Sequence, residues 1–180
     1  LVAGGVATLE ITLRTDAAIA AAKAIIAGVP DAIVGIGTIL TPADLAQAVS
    51  LGAKFGVSPG STPELLEALA KSDLPSLPGV ATASEVMQAQ AHGFNVLKFF
   101  PAEQAGGIAM LRALAGPFPQ TRFCPTGGIG AANAAAWLAE PNVLAVGGSW
   151  LCPTAEIRAG NWSAITARCA EAMKVLPSKG

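Results

Sequence analysis

Short apolar runs alternate along the whole chain with longer, alanine-rich segments. The runs predict seven strands, at residues 7–14, 32–37, 54–58 and 75–78, around Lys98, and at 121–125 and 143–146. The other segments predict helices at residues 16–27, from 41–44 onward, at 63–71, from 82–85 to about 92, and at 107–115, 131–139 and 161–175. Regular alternation of this kind is typical of a parallel α/β fold. Because no linker or low-complexity segment interrupts the chain, we expect residues 1–180 to form one domain.

Polar or glycine-rich turns follow the strands, and they distinguish two parallel architectures. They lie at residues 10–14, 38, 58–60, 98, 126–128 and 147–149. In a (β/α)8 barrel all carboxyl ends of strands meet at one mouth, whereas in an open doubly wound sheet only those near the switch point converge. We therefore favour a TIM-type barrel. Seven strands are one short of eight and residues 1–5 resemble the end of a helix, so we expect the first β/α unit to be missing.

Composition and charge argue against nucleic-acid-binding, membrane-spanning and secreted proteins. Apolar residues make up 52% of the chain and charged residues 13%, which is expected if other subunits cover part of the surface. The net charge of −1, without a basic cluster, argues against a nucleic-acid partner. The longest uncharged run, residues 123–139, contains Pro, Gly and Asn and predicts no membrane span. Residues 1–6 lack the basic start of a signal peptide, so we expect a cytoplasmic protein.

Cysteine and histidine content limits the possible chemistry. Cys124, Cys152 and Cys169 are widely spaced, which is typical of reduced thiols and not of a disulfide framework or zinc site. We interpret Cys124 as a packing residue. His92 is the only histidine and lies in a predicted helix, so sites that need several histidines and the usual serine or cysteine triads are not expected.

Lys98 lies inside an otherwise apolar strand that ends at Pro101. Alternation puts Lys98 on one face with Val96 and Phe100. Removing an ammonium group from water is costly, so a lysine there should be partly neutral, and a neutral amine is a nucleophile for ketones. The alternative is a lysine near a strand end that keeps its charge in water.

The strand at residues 7–14 alternates between apolar and polar side chains. One face carries Leu9, Ile11 and Leu13, and the other carries Thr8, Glu10, Thr12 and Arg14. Barrel interiors are usually filled with branched apolar side chains, so an acid and a base on the interior face mark a candidate site. The alternative is the solvated face of an antiparallel strand, which a parallel sheet covered by helices does not offer.

Glycine pairs follow the last two predicted strands, in Thr126-Gly127-Gly128 and in Gly147-Gly148-Ser149. Glycines let backbone N–H groups approach an anion closely. The loops after the last two strands of such barrels commonly hold phosphate. The two turns therefore predict a phosphate site.

Six segments together resemble the class I, metal-free 2-keto-3-deoxy-6-phosphogluconate (KDPG) and 4-hydroxy-2-oxoglutarate aldolases. They are residues 9–15 (LEITLRT), 34–38 (VGIGT), 58–60 (SPG), 97–103 (LKFFPAE), 122–129 (RFCPTGGI) and 147–150 (GGSW). The resemblance runs in order over nearly the whole chain. Members of this family begin with another strand and helix, and that strand contributes an arginine to the site. No segment here matches it.

The resemblance implies a role for each candidate residue. Lys98 would form the Schiff base, and Glu10 would be the general acid and base. Arg14 and Thr38 would hold the pyruvate moiety, Thr126 would control stereochemistry at the aldol carbon, and Pro59 and Phe100 would be further substrate-binding residues. Gly127, Gly128 and Ser149 would line the phosphate end. The family forms homotrimers and uses no metal or cofactor beyond the covalent lysine imine with its substrate.

The function implied is cleavage of KDPG, a 2-keto-3-deoxy sugar acid phosphate, to pyruvate and glyceraldehyde 3-phosphate in the Entner-Doudoroff pathway. Action on 4-hydroxy-2-oxoglutarate is implied as well. Three alternatives remain open at this point: an aldolase for the galactonate epimer, a non-catalytic barrel that binds phosphosugars, and an inactive scaffold form of the barrel.

Overall fold

The structure, a computed structural model, describes residues 1–174. Its strands are β1 (Thr8–Thr12), β2 (Ile33–Gly37), β3 (Phe55–Val57), β4 (Ser76–Leu77), β5 (Gly79–Val80), β6 (Val96–Phe99) and β7 (Arg122–Pro125). A short 3₁₀ helix spans Val2–Gly4. The α-helices are α1 (Ala18–Gly28), α2 (Pro42–Ser50), α3 (Pro63–Lys71), α4 (Ala83–Ala91), α5 (Gly107–Ala115), α6 (Ala134–Leu138), α7 (Thr154–Ala159) and α8 (Trp162–Lys174).

All the strand pairs are parallel, in the orders β1-β2-β3-β4 and β5-β6-β7. The short strand predicted at residues 75–78 is present as β4, but a second short strand, β5, follows Pro78, which has no N–H group with which to continue a ladder. The carbonyl of Pro78 still accepts a hydrogen bond from the N–H of Lys98 at 2.9 Å, so the segment between β4 and β5 remains hydrogen-bonded to β6. The predicted parallel α/β class is confirmed.

The strand predicted at residues 143–146 is wrong. This segment meets β7 only at two isolated bridges, Phe123 with Val143 and Thr126 with Gly147. It covers one more residue between the bridges than β7 does, and such an extra residue interrupts a regular ladder as a bulge does. Within residues 1–174, β1 pairs only with β2, so the barrel is not closed.

Local signals set most helix boundaries correctly. Helices α3 and α5 have the predicted bounds, and α2 and α4 begin with capping boxes at Thr41 and Thr82. Helix α6 begins three residues later than predicted, because the side chain of Asn133 accepts a hydrogen bond from Gly130 in the preceding turn. Helix α7 was not predicted, and Val175, predicted as the end of the last helix, lies outside the described residues.

Two apolar clusters lie between the strands and the helices. One includes Leu97, Phe99, Phe123 and Trp137, and the ring of Phe99 lies 6.2 Å from that of Phe123 and 6.3 Å from that of Trp137. The other is built on Ala22, Ile36, Leu45, Leu65 and Leu69, and the β1-side residues Ile11 and Leu13 pack against it. Leu97 and Phe99 thus face the helices, which leaves Lys98 on the interior face of β6.

Candidate active site

Glu10 on β1 and Lys98 on β6 meet on the interior side of the strands. Oε1 of Glu10 lies 3.4 Å from Nζ of Lys98. Lys98 is only 7% exposed, and its amine also lies 5.1 Å from the centre of the Phe100 ring. The amine is therefore withdrawn from bulk water and held between a carboxylate and an aromatic face.

Gly37, at the end of β2, makes room for Glu10. A Cβ atom on Gly37 would overlap the Oε1 atom of Glu10 and lie 2.6 Å from its carboxyl carbon. Two positions earlier on the same face, a Cβ on Gly35 would overlap the ring of Phe55. The absence of side chains at Gly35 and Gly37 therefore opens space on the interior face of β2, and Glu10 occupies the part beside Gly37.

Thr38 follows Gly37 in a conformation that threonine rarely adopts. Its φ is 61°, in the left-handed region where a β-branched side chain is strained. The backbone on either side is held by hydrogen bonds, from the N–H of Leu13 to the carbonyl of Gly37 at 2.9 Å and from the N–H of Ile39 to the carbonyl of Val57 at 3.1 Å. Strain of this kind is found at binding sites, where the surrounding structure imposes it.

Arg14 and Pro59 lie after β1 and β3. Arg14 is exposed, and its Nε donates to Oγ1 of Thr12 at 3.1 Å. Pro59 packs so closely on Gly79 that a Cβ there would overlap the Pro59 carbonyl. Beside it, the buried hydroxyl of Ser58 accepts a hydrogen bond from the N–H of Gly79 at 3.1 Å. Ser58 thereby fixes the Pro59 turn to β5.

Cys124 is the neighbour of Lys98 on β7. The two residues are paired in parallel register, so their side chains lie on the same face of the sheet. Burial raises the pKa of the Cys124 thiol, which favours the protonated form. A neutral thiol, and not a thiolate, therefore flanks the lysine.

The two glycine turns lie side by side beyond β7. Thr126 bridges to Gly147, where a Cβ would overlap its Oγ1, and Ser149 lies exposed two residues further on. Gly127 and Gly128 have φ values of 106° and 76°. Within residues 1–174, the N–H groups of these two glycines donate no backbone hydrogen bond, which leaves them available to an anion.

The turns are joined to the lysine strand by hydrogen bonds. The N–H of Thr126 donates to the carbonyl of Phe99 at 2.9 Å, and the N–H of Ala102 donates to the carbonyl of Thr126 at 2.9 Å. The buried amine and the two glycine turns therefore belong to one end of the parallel sheet, as the barrel prediction requires. Within residues 1–174, no group of three or more His, Cys, Asp or Glu side chains is arranged to hold a metal ion.

Comparison with known proteins gives the family. The model of the aldolase family described as "KDPG and KHG aldolase" matches residues 1–168. The KHG/KDPG aldolase of Escherichia coli (strain K12) is 50% identical over 174 residues, which cover 97% of this chain and 82% of that protein. The chain belongs to the KDPG and KHG aldolase family. As an aldolase, it is a carbon–carbon lyase.

Solved structures of this family share the fold. The KDPG aldolase of Legionella pneumophila, with pyruvate captured at low pH as a covalent carbinolamine, matches with a TM-score of 0.92 and 50% identity over 94% of this chain and 82% of that one. The KDPG aldolase of Zymomonas mobilis ZM4 with 3-phosphoglycerate matches with a TM-score of 0.89 and 45% identity over 95% and 80%. The predicted TIM-type α/β barrel is confirmed, with the barrel not closed within residues 1–174.

Three residues that shape this aldolase site were not assigned a function from the sequence. Gly37 lies on the same face of its strand as Gly35, and two glycines on one face of a strand signal a close approach. For Ser58 the sequence shows only its place in the Ser58-Pro59-Gly60 turn. The place of Cys124 beside Lys98 depends on strand register, for which the sequence has no local signal.

Proposed function

We propose that this chain cleaves KDPG to pyruvate and glyceraldehyde 3-phosphate through an imine on Lys98. The observation that carries the proposal is the buried Lys98 amine 3.4 Å from the Glu10 carboxylate. Support comes also from the Legionella relative, which was captured with pyruvate as a carbinolamine. The name of the Escherichia coli relative includes KHG, which supports 4-hydroxy-2-oxoglutarate (KHG) as a second substrate.

The reaction begins with attack of the neutral Lys98 amine on the C2 ketone of the substrate. The resulting carbinolamine takes up one proton from solvent and loses water to give a protonated imine, and that proton is released again when the imine is hydrolysed. This imine accepts the electron pair of the C3–C4 bond when that bond breaks, and an enamine of pyruvate forms. The interior face of β6 suits the first step because it holds the amine away from water.

Glu10 acts as the base and then as the acid. It takes the proton of the C4 hydroxyl as glyceraldehyde 3-phosphate leaves, either directly or through one water. It then returns a proton to C3 of the enamine, and hydrolysis of the imine releases pyruvate and regenerates Lys98. The 3.4 Å between the Glu10 carboxylate and the Lys98 amine supports this role, because the carboxylate lies close to the atom that would bind the substrate.

The remaining site residues bind the two ends of the substrate. The guanidinium of Arg14 suits bidentate contact with the carboxylate next to C2, and Thr38 lies beside the pyruvate moiety. Pro59 and Phe100 form apolar walls. Thr126 discriminates between configurations at C4. The turn N–H groups of Gly127 and Gly128, with Ser149, bind the phosphate.

We also propose a cytoplasmic homotrimer in which residues 1–180 form one domain, active in the Entner-Doudoroff pathway. The family match over residues 1–168 supports a single domain. The low charged fraction and exposed apolar side chains such as Leu40, Val49 and Met87 support subunit contacts. None of the helices within residues 1–174 has the length and apolar character needed to cross a membrane.

The test is the intact mass of the chain after treatment with pyruvate and sodium borohydride. We expect one reduced pyruvate adduct that maps to Lys98, no adduct in Lys98→Met, and an unchanged adduct in Lys23→Met, which removes an exposed lysine of α1. An adduct that persists in Lys98→Met would overturn the lysine assignment. Initial rates with KDPG, its galactonate epimer and 4-hydroxy-2-oxoglutarate then establish the substrate, and a preference for the epimer would overturn that part of the proposal.

A further inference from the structure

Glu103 lies in the loop between β6 and α5, and the mechanism above gives it no role. Its Oε1 accepts hydrogen bonds from Nε1 of Trp137 at 2.9 Å and from Nδ2 of Asn133 at 3.0 Å. Trp137 has no exposed surface and packs against Phe99 of the lysine strand. The carboxylate of an otherwise exposed residue is thus anchored to the apolar cluster behind Lys98.

Asn133 connects this carboxylate to the second glycine turn. Its Nδ2 also donates to the carbonyl of Gly128 at 3.0 Å, while its Oδ1 accepts from the N–H of Gly130 at 2.8 Å. Both ends of the amide are used, so the side chain can adopt only one orientation without losing hydrogen bonds. Asn133 therefore closes the turn after Gly127 and ties it to Glu103.

Glu103 also contacts the turn directly. Its N–H donates to the carbonyl of Gly127 at 3.1 Å. A Cβ atom on Gly128 would lie 2.7 Å from the Cβ of Glu103 and 2.5 Å from its Cγ, so only glycine fits against this side chain. Backbone and side chain of Glu103 together form the surface on which the turn rests.

We propose that Glu103 and Asn133 are positioning residues, which hold the Gly127-Gly128 turn in the conformation that binds the phosphate of the substrate. The proposal rests on the proposed function, which assigns the phosphate to that turn. Backbone N–H groups bind an anion only when they point at it, so the orientation of each peptide plane matters. The hydrogen bonds to the carbonyls of Gly127 and Gly128 fix the two peptide planes to which those carbonyls belong.

The charge of Glu103 does not itself favour the bound phosphate. A carboxylate beside an anion site repels the anion, so Glu103 contributes through the position of its acceptor oxygen. The effect of the acceptor oxygen's position can therefore be measured apart from the effect of the negative charge of Glu103. A glutamine at position 103 keeps an oxygen acceptor for Trp137 and Asn133 and removes the negative charge.

The test compares KM for KDPG with KM for 4-hydroxy-2-oxoglutarate, which has no phosphate. Asn133→Asp keeps the acceptor for Gly130 but turns an oxygen toward Glu103 and the Gly128 carbonyl. We expect its KM for KDPG to rise about tenfold, while kcat and the KM for 4-hydroxy-2-oxoglutarate stay within about twofold. Glu103→Gln should keep KM for KDPG within about twofold of the wild type. The double variant Glu103→Gln/Asn133→Asp should recover part of the loss, because the Gln amide can donate to the new carboxylate.

Two results would overturn the proposal. One is an equal rise of both KM values in Asn133→Asp, which is what a general loss of structure gives. The other is a preference for KDPG that Gly128→Ala removes and Asn133→Asp leaves unchanged, because the turn would then bind phosphate without this support. A wild-type chain that does not distinguish the two substrates would contradict the proposed phosphate site itself, and the borohydride test would still report on Lys98.

Discussion

The Oε1 atom of Glu10 lies 3.4 Å from the Nζ atom of Lys98, although the two residues belong to opposite halves of the strand order. The pair is unevenly exposed, since 27% of the Glu10 side chain and 8% of the Lys98 side chain remain accessible. Of the two groups, the carboxylate therefore has the better access to water. This asymmetry fits a lysine that forms the covalent bond and a glutamate that exchanges protons with solvent between turnovers.

Replacing Glu10 with glutamine should separate imine formation from turnover. Glu10→Gln keeps the size of the side chain and removes the proton-transfer group, so we expect kcat for KDPG to fall by about 100-fold to 10,000-fold. Pyruvate should still be trapped on Lys98 by borohydride. Glu64→Gln, an exposed substitution on α3, is the matched control and should leave both measurements unchanged. Near-normal turnover in Glu10→Gln would remove Glu10 from the mechanism.

A methyl group on Gly37 should disable the site by displacing Glu10. Because its Cβ would overlap the carboxylate, Gly37→Ala should lower kcat at least about tenfold and destabilise the fold by about 1–3 kcal/mol. Gly28→Ala is the control, because nothing lies within 4 Å of its Cβ at the end of α1. Steady-state rates and urea unfolding of both variants test this. If Gly37→Ala kept full activity, the position of the Glu10 carboxylate would not depend on the absence of a side chain at Gly37.

Alternation within single strands was enough to place the reactive groups. It put Lys98 opposite Leu97 and Phe99, and it put Glu10 opposite Ile11 and Leu13, as the structure has them. The strand prediction that failed, at residues 143–146, could not be corrected from its own sequence, because the structure of this segment depends on the neighbouring strand. The bulge that breaks the segment from Val143 to Gly147 is defined only by its pairing with β7.

Contacts between residues that are distant in sequence could not be predicted for the same reason. The overlap of a Gly37 Cβ with Glu10 and the register of Cys124 with Lys98 join residues on different strands, and no local pattern encodes either distance. The hydrogen bond from Trp137 on α6 to Glu103 in the loop before α5 joins residues 34 positions apart, and no local pattern encodes it either. Motif resemblance implied a role for each site residue, and the structure adds the distances and contacts around those residues.

The backbone of Thr38 should reveal its strain in a pair of variants that lack the hydroxyl. Thr38→Gly and Thr38→Ala remove the same oxygen, but only glycine adopts a φ of 61° without strain. We expect Thr38→Gly to be more stable than Thr38→Ala by about 1 kcal/mol in urea unfolding, with similarly reduced kcat/KM. Equal stability of the two variants would show that the left-handed conformation is not maintained in solution.

The ion pair between Arg112 and Glu140 should make stability depend on pH. The guanidinium donates to both carboxylate oxygens, with Nη2–Oε1 at 2.6 Å and Nε–Oε2 at 2.9 Å. Hydrogen bonding from Arg112 lowers the pKa of Glu140 below its ordinary value. A lowered pKa in the folded chain means that the pair stabilises the fold above the ordinary carboxyl pKa, and that this stabilisation is lost as pH falls through the lowered pKa.

Urea unfolding of Glu140→Gln at pH 7 and at acid pH measures this contribution. Glu140 is only 7% exposed, while the Arg112 side chain is 69% exposed and solvent screens the pair from that side. We expect Glu140→Gln to be less stable than the wild type at pH 7, and the difference to shrink at acid pH. Glu67→Gln, which breaks the exposed pair with Lys71, is the matched control and should have an effect of at most about 0.5 kcal/mol at pH 7. A stability difference for Glu140→Gln that did not change with pH would mean that packing of the side chain, and not its charge, holds α5 against the end of α6.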